Sequence, residues 1–541
     1  MDLKLPCKAS IVTAADGNSG SLRRRCGLLL GPLLFCACLL LPTPTGLTAE
    51  GQRMLAVALL MASWWMSEAI PIPATSLLPL ALFPLLGIMP TSQAAAPYAN
   101  QLIFLFMGGF IIALAMQRWN LHRRIAMQVV RAVGFSPGRL IFGFMLAAAF
   151  LSAFVSNTVT AVMMMPIGLA IIEHVAEFGR KEGLDREIDF APGRFNFGIN
   201  LMLGIAYAAT IGGVATLIGT PPNMVLACYL QTAYGFELTF ARWMLVGVPL
   251  AAVLLPLTWL WLIKWAYPLR LKRVPGGREI ILNELRQLGP MQPGERWTAL
   301  VFVLTALAWI GRSWLAPFLP HSAMISDATI AMAGALLLFL LPVDWRRGRF
   351  VMDWEWAARM PWGVLVLFGG GLSLAAGFES TGLSGWIGGQ VLLLQGAPLW
   401  LLVVAVTVLI IFLTELTSNT ATAAMAMPLL AAVAIGLQQN PLLLLIPAAL
   451  AASCAFMLPV ATPPNAIVFG SGYITIPQMV RSGFGLNLLS ILLIALLTYC
   501  LIVPLFHIVF NELPLWLDGV AKNPPYGVTA FFQDLDIHST Q

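Results

Sequence analysis

Apolar runs recur almost from end to end of the chain, separated by short breaks that are charged or rich in proline and glycine. A hydrocarbon core about 30 Å thick needs about 20 apolar residues of helix to cross it. Runs of this kind occupy 26–41, 54–67, 76–88, 102–116, 243–265, 299–310, 330–341, 362–376 and 486–509. Several are shorter than a full span, which predicts tilting, extension into flanking residues or broken helices. The pattern predicts an all-α polytopic membrane protein.

Composition sharpens that reading. Hydrophobic residues make up 59% of the 541 and charged residues only 10%, against about 25% charged in an average globular chain. Most of the surface therefore cannot face water. The net charge of +6 comes from basic residues in short loops beside the apolar runs. That placement is the positive-inside topology signal, not a nucleic-acid platform. Arg23, Arg24 and Arg25, just ahead of the first run, put the N-terminus in the cytoplasm of a multi-pass, cell-membrane protein, expected in a bacterial inner membrane. The length of chain before that run favours a transmembrane helix over a cleaved signal peptide. Cysteines at 7, 26, 36, 38, 228, 454 and 500 contain no CxxC pair, and histidines at 122, 174, 321, 507 and 538 lack metal-ligand spacing. Neither a disulfide framework nor a structural metal is indicated. No Ser/His/Asp set, HExxH or phosphate-binding loop is present, which argues against an enzyme and an organic cofactor. Trp354 and Trp356 read as an interfacial belt.

An internal repeat carries the strongest signal. Ser156-Asn-Thr-Val-Thr-Ala-Val-Met-Met-Met-Pro-Ile167 recurs as Ser418-Asn-Thr-Ala-Thr-Ala-Ala-Met-Ala-Met-Pro-Leu429, 262 residues later. The same offset carries Phe106-Met-Gly-Gly-Phe110 onto Phe368-Gly-Gly-Gly-Leu372, and Ser152 onto Thr414. Thr220-Pro-Pro-Asn223 recurs as Thr462-Pro-Pro-Asn465 at an offset of 242. Three ordered matches mean duplication. Both flanks of 140–174 are basic, with Arg118, Arg123, Arg124, Arg131 and Arg139 before it and Arg180, Lys181, Arg186 and Arg194 after it. A segment that leaves and returns to the cytoplasmic side is two arms of a re-entrant hairpin, with Ser156-Asn157-Thr158 at its tip. The flanks of the second copy, 380–401 and 437–446, contain no Lys or Arg, so that hairpin enters from outside. Opposed copies of one motif form an inverted repeat, the architecture of secondary transporters whose substrate site lies at the bilayer midplane. The charged linker 270–296 joins the halves as a cytoplasmic surface helix, with Ile280, Ile281, Leu282 and Leu285 on one side.

These motifs offer definite chemistry. Ser, Asn and Thr are N-cap residues, and helices starting at Thr158 and Thr420 would aim positive dipole ends and free N–H groups at the tips. The same side chains present oxygens to a cation, although the tripeptide alone reads more readily as a simple helix cap. Pro221, Pro222, Pro463 and Pro464 lack an N–H and free carbonyls one turn back, while Gly212, Gly213 and Gly219 permit close backbone approach. Freed carbonyls in hydrocarbon must line a cavity or hold an ion, which suggests oxygen ligation of Na⁺. Each motif alone reads also as an ordinary kinked helix; the pairing decides for function. Two carboxylates sit in apolar surroundings. Glu415 is a candidate for a coupling proton, for tuning a cation site or for capping backbone donors; Glu68 reads as structural. No Lys or Arg is expected in or beside the hairpin tips, so bound Na⁺ would supply the charge that a dianion needs in a low-dielectric site.

The paired SNT and TPPN motifs, together with Ser67-Glu-Ala-Ile-Pro-Ile-Pro-Ala74 and Pro361-Trp-Gly-Val-Leu-Val-Leu-Phe-Gly-Gly-Gly371, resemble the divalent anion/sodium symporter family of INDY-like di- and tricarboxylate and sulfate transporters. The resemblance implies an inverted-repeat, elevator-type homodimer with two re-entrant hairpins and about 11 transmembrane helices. It implies Na⁺ as coupling ion, with one site from Ser152, Ser156, Asn157 and the carbonyl of Gly219, and a second from Thr414, Thr417, Asn419 and the carbonyl of Ala461. Substrate carboxylates would meet Asn157, Thr158, Ser418, Asn419 and Thr420, with Pro463 nearby. Implied parts are an N-terminal segment with the first transmembrane helix (1–50), scaffold (51–136 and 242–395), transport (137–241 and 396–510) and a tail (511–541). The function implied is Na⁺-coupled symport of C4-dicarboxylates such as succinate, malate and fumarate. An anion exchanger or a sulfate or citrate carrier of the same fold stays open, and a cation/proton antiporter would have only Glu415 to titrate.

Overall fold

The computed structural model describes residues 19–182, 188–271, 273–274, 276–315, 324–390 and 398–517. Cys7, His321, His538 and most of the C-terminal tail lie outside the described residues. Eight helical stretches among the described residues are long and apolar enough to cross a membrane, and four shorter apolar helices accompany them. Among the described residues, one small sheet pairs β1 (Pro342–Asp344) with β2 (Arg349–Phe350).

α1 (Ser19–Leu40) and α2 (Ala49–Ser67) pack as an antiparallel pair. Gly27 and Gly31, one turn apart on α1, set the contact: a Cβ on Gly27 would lie 1.9 Å from Ser67 Oγ, and one on Gly31 would lie 2.5 Å from Trp64 Nε1. Small residues spaced this way let apolar helices approach at backbone distance. The run expected over 76–88 forms the short helix α4 (Leu78–Leu85), and a separate turn of helix, α3 (Ile72–Thr75), ends just ahead of it at Ser76. α5 (Thr91–Ala95) leads through a short turn to α6 (Gln101–Arg118) and the amphipathic α7 (Leu121–Val133).

The first hairpin follows as α8 (Pro137–Ser152) and α9 (Asn157–Lys181), then a broken helix, α10 (Asn196–Val214) and α11 (Pro221–Tyr234). α12 (Phe240–Leu260) winds on through a π turn to Ala266, and α13 (Gly277–Leu288) is the expected linker helix. Ile281 of α13 is fully buried, and the helix packs against α7. α14 (Pro293–Leu315), α15 (Asp327–Leu340), α16 (Trp354–Ala357), α17 (Trp362–Ser380) and α18 (Leu383–Gln390) complete the middle of the chain. The second hairpin is α19 (Leu399–Leu416) and α20 (Asn419–Gly436), followed by the broken helix α21 (Leu442–Ala452) and α22 (Pro463–Phe469), then α23 (Ile476–Leu497).

The duplication is visible in the chain path. α10 begins beside the end of α22: Gln478 Nε2 donates to the Gly193 carbonyl at 2.7 Å, and Tyr473 lies against Gly198. The two broken helices therefore run in opposite directions. The second arm of each hairpin packs on the other repeat's proline-led helix, α9 on α22 and α20 on α11. The final apolar run, expected over 486–509, starts ten residues earlier at Ile476. A Thr475–Gln478 capping box opens it, and Arg481, Ser482 and Gly483 hide its first turns from a hydropathy reading.

Basic residues that mark topology also fasten the structure. Arg118 pairs with Asp353 at 2.6 Å, while Trp119 Nε1 donates to the Val351 carbonyl at 2.9 Å, tying α6 to the segment before α17. Arg124 pairs with the buried Glu295 and donates to the Gly289 carbonyl at 3.0 Å. Arg123 pairs with Glu284 of α13.

Candidate functional site at the hairpin tips

Each hairpin breaks where the serine or threonine ahead of SNT meets the asparagine within it. Ser152 Oγ, fully buried at the end of α8, donates to Asn157 Oδ1 at 2.5 Å and lies 2.6 Å from the Ala209 carbonyl oxygen. Thr414 Oγ1 repeats the arrangement, 2.7 Å from Asn419 Oδ1 and 3.0 Å from the Ala452 carbonyl oxygen. A hydroxyl has one proton to donate, so in each copy it faces two oxygens with a hydrogen for one. Clustered oxygens with too few protons suit a cation.

The second arms start one residue before the expected Thr158 and Thr420, at Asn157 and Asn419. Ser156 and Ser418 have N-cap positions, but neither side chain caps its helix. With the asparagine carbonyl oxygens engaged by Ser152 and Thr414, the first N–H groups of α9 and α20 have no side-chain acceptor there. The hydroxyls of Ser156, Thr158, Ser418 and Thr420 are half-buried. A helix start with open N–H groups and nearby hydroxyls is an anion site.

The proline-led breaks meet these tips. In the first, the Ala153 carbonyl accepts from Thr216 Oγ1, and a Cβ on Gly219 would lie 3.0 Å from that same carbonyl oxygen. Gly213 leaves room for the Asn157 amide; a Cβ there would sit 2.7 Å from Asn157 Oδ1. Ser152, Asn157 and Gly219 are thus gathered at one tip, with Ser156 in the same turn. In the second break, Ala461 is buried and Pro463 is exposed at the start of α22. Thr417 Oγ1 turns away, 2.9 Å from the Leu413 carbonyl oxygen and 2.6 Å from Thr422 Oγ1, so only its carbonyl is left for a ligand. Among the described residues, the carbonyls of Gly219, Thr417 and Ala461 accept no backbone or side-chain hydrogen bond.

Not every carbonyl of the breaks is available. Asn223 Nδ2 donates to the carbonyls of Gly213, Val214 and Thr216 at 3.2, 3.3 and 2.7 Å. Asn465 Nδ2 repeats this on Ala455 and Leu458 at 3.3 and 3.1 Å. Both asparagines are fully buried, and the Oδ1 atom of each has no partner. The last letter of TPPN therefore ties off the break that its prolines create.

Glu415 binds backbone donors. Its Oε1 accepts from the N–H groups of Phe456 and Met457 at 2.7 and 2.9 Å and from Asn487 Nδ2 at 2.8 Å; Oε2 accepts from the Leu458 N–H at 3.1 Å. The carboxylate caps these backbone donors, and it stands one residue from Thr414.

A profile of the sodium:sulfate symporter transmembrane region matches residues 23–508. The chain belongs to that family. The resemblance drawn from the paired motifs is thereby borne out. The sodium-dependent dicarboxylate transporter SdcS of Staphylococcus saprophyticus is 46% identical over 502 residues, covering 92% of this chain and 96% of the relative. SdcS of Staphylococcus aureus strain USA300 is 46% identical over 491 residues, covering 90% and 93%. Among solved structures, the Alcanivorax borkumensis YdaH transporter matches with a TM-score of 0.51 at 16% identity, covering 88% of this chain and 97% of that one. Neisseria gonorrhoeae MtrF matches with a TM-score of 0.55 at 12% identity, covering 89% and 96%. At those identities the likeness shows the polytopic all-α fold.

In this sodium:sulfate symporter family member, sequence reasoning missed several residues at the site. Thr216 and Asn487 carry no motif, and only the end-to-end contacts expose them. Asn223 and Asn465 were visible as repeated letters without a role. One expectation needs correction: a basic residue does stand beside a tip. Arg23 Nη1, on α1, donates to the Leu416 carbonyl at 3.1 Å, one residue before Thr417. In sequence it belonged to a topology signal nearly 400 residues away. Glu68 closes α2 in a left-handed conformation (φ 50°) and pairs with Arg23 at 3.3 Å.

Proposed function

We propose that the chain is a Na⁺-coupled secondary active symporter of C4-dicarboxylates such as succinate, malate and fumarate. The observation that carries this reading is the pair of mirror-image tips, each placing oxygen-rich cation ligands next to an open helix N-terminus. Na⁺ binds at Ser152, Ser156, Asn157 and the Gly219 carbonyl in one half. In the other it binds at Thr414, Asn419 and the carbonyls of Thr417 and Ala461. The substrate carboxylates sit against Asn157, Thr158, Ser418, Asn419 and Thr420, beside Pro463.

Coupling is electrostatic. No Lys or Arg occurs between Arg139 and Arg180, between Arg194 and Arg242, or between Arg359 and Arg481, so the hairpin tips and both broken helices carry no cation of their own. A dianion held by neutral donors in a low-dielectric site is under-neutralised, and the bound sodium ions complete its site. The parts bearing the hairpins, 137–241 and 396–510, move as an elevator against a scaffold of 51–136 and 242–395, in a homodimer of the cell membrane whose N-terminus is cytoplasmic. Binding at the midplane of opposed repeats supports alternating access of this kind.

The test is uptake of ¹⁴C-succinate into proteoliposomes under an inward Na⁺ gradient, compared with K⁺, with unlabelled malate, citrate or sulfate as competitor. Uptake that requires Na⁺ and is blocked by malate but not sulfate is expected. Uptake indifferent to Na⁺ but driven by internal dicarboxylate would instead identify an exchanger and remove both sodium sites.

A further inference from the structure

The Arg23–Glu68 pair on the early helices reaches a hairpin tip. Close packing through Gly27 and Gly31 seats α1 on α2, which places Arg23, one turn before Gly27, beside Glu68 just past the end of α2. The guanidinium then has two partners: Nη2 lies 3.3 Å from Glu68 Oε1, and Nη1 donates to the Leu416 carbonyl at 3.1 Å. Its neighbours Arg24 and Arg25 are exposed, and neither makes an ion pair among the described residues.

Leu416 is the last residue of α19, and its side chain is exposed. The next residues are Thr417, whose carbonyl is unclaimed, and Ser418, which leads α20. A charge-assisted bond to the Leu416 carbonyl fixes the peptide plane from which this turn departs. It also brings a positive charge to the side of a site whose own elements hold none.

We propose that Arg23 is a positioning residue for substrate binding: anchored by Glu68, it holds the second hairpin tip in its anion-binding shape and adds positive potential there. The inference rests on the dicarboxylate reading above and deepens it. Because the contact joins 19–68 to a hairpin that moves in an elevator cycle, it belongs to one end of that cycle.

Na⁺-driven succinate uptake tests this at saturating Na⁺ in proteoliposomes, with KM and Vmax measured separately for wild type, Arg23→Gln, Arg23→Lys and Glu68→Gln. Loss of a half-exposed charge contact predicts a KM raised about fivefold in Arg23→Gln with Vmax within about twofold. Arg23→Lys, keeping the charge, stays within about twofold of wild type in KM, and Glu68→Gln falls between. A purely structural arginine would lower the amount of folded protein and Vmax without moving KM. An unchanged KM in Arg23→Gln, or an equal rise in Arg23→Lys, overturns the proposal. Absence of Na⁺-dependent uptake in the wild type would instead overturn the transport reading, so the two failures are distinguishable.

Discussion

In the first hairpin the strap to the broken helix is a hydroxyl, Thr216 Oγ1 donating to the Ala153 carbonyl. In the second it is a carboxylate, Glu415 accepting from Phe456, Met457 and Leu458. At the repeat offsets, Ala153 corresponds to Glu415 and Thr216 to Leu458. The side chain that makes the strap has moved from the break to the hairpin, and its role has changed from donor to acceptor. The glycines change with it. Gly212, Gly213 and Gly219 of the first break correspond to Cys454, Ala455 and Ala461 of the second. A Cβ on Gly212 would lie 2.1 Å from the Ala149 carbonyl oxygen, so the first unit is closed by backbone against backbone. The second break, 453–462, is longer than the first, 215–220, and a charged side chain secures it. What the copies share is the oxygen set, Ser152 with Asn157 and Thr414 with Asn419. The oxygen set is alike in both halves, while each half keeps its break ordered within an apolar medium in its own way.

The largest effect is expected at Glu415. Glu415→Gln turns an acceptor into a group with its own N–H donors facing backbone N–H groups, and each buried donor left unpaired costs about 1–3 kcal/mol. Na⁺-driven uptake should fall about a hundredfold and the thermal midpoint in detergent should drop; near-normal uptake would mean that the carboxylate is not the strap. Gly213→Ala comes next. Its methyl would press on Asn157 Oδ1, and overpacking costs about 1–3 kcal/mol, which predicts a Na⁺ half-saturation raised about tenfold. The mirrored change, Ala455→Gly, should stay within about threefold, since a glycine there costs about 0.5–1 kcal/mol. Equal sensitivity at both positions would break the contrast. Thr216→Val removes a single hydroxyl worth about 1 kcal/mol and should shift Na⁺ half-saturation about fivefold. A transplant sharpens the point: adding Leu458→Thr to Glu415→Ala rebuilds the first unit's strap in the second and should recover part of the uptake that Glu415→Ala loses.

The hairpins, the antiparallel broken helices and the linker helix were legible in the sequence because each rests on a repeated motif or on the basic residues that bracket it. The ligand candidates were legible for the same reason. The straps were not. Thr216 lies in an apolar stretch, and Asn487 stands between two leucines on α23; their importance depends on the fold bringing them to a break far off in the chain. Glu415 stood out as a carboxylate among apolar residues, but its partners are main-chain N–H groups, which every residue but proline carries and no motif records. The helices start one residue earlier than expected because Ser156 and Ser418, and not the asparagines, hold the N-cap positions. Arg23 was hidden by company, being one of three adjacent arginines whose charge already had a topological explanation.

The central claim is that sodium completes the anion site between the two tips. Succinate binding to the purified protein, followed by isothermal titration calorimetry across a series of Na⁺ concentrations at constant ionic strength with choline as the replacement cation, tests it most directly. The account predicts an affinity that rises steeply with Na⁺ and is lost without it, with Ser152→Ala and Thr414→Ala each shifting the series to higher Na⁺. A succinate affinity that is the same in Na⁺ and in choline would contradict it.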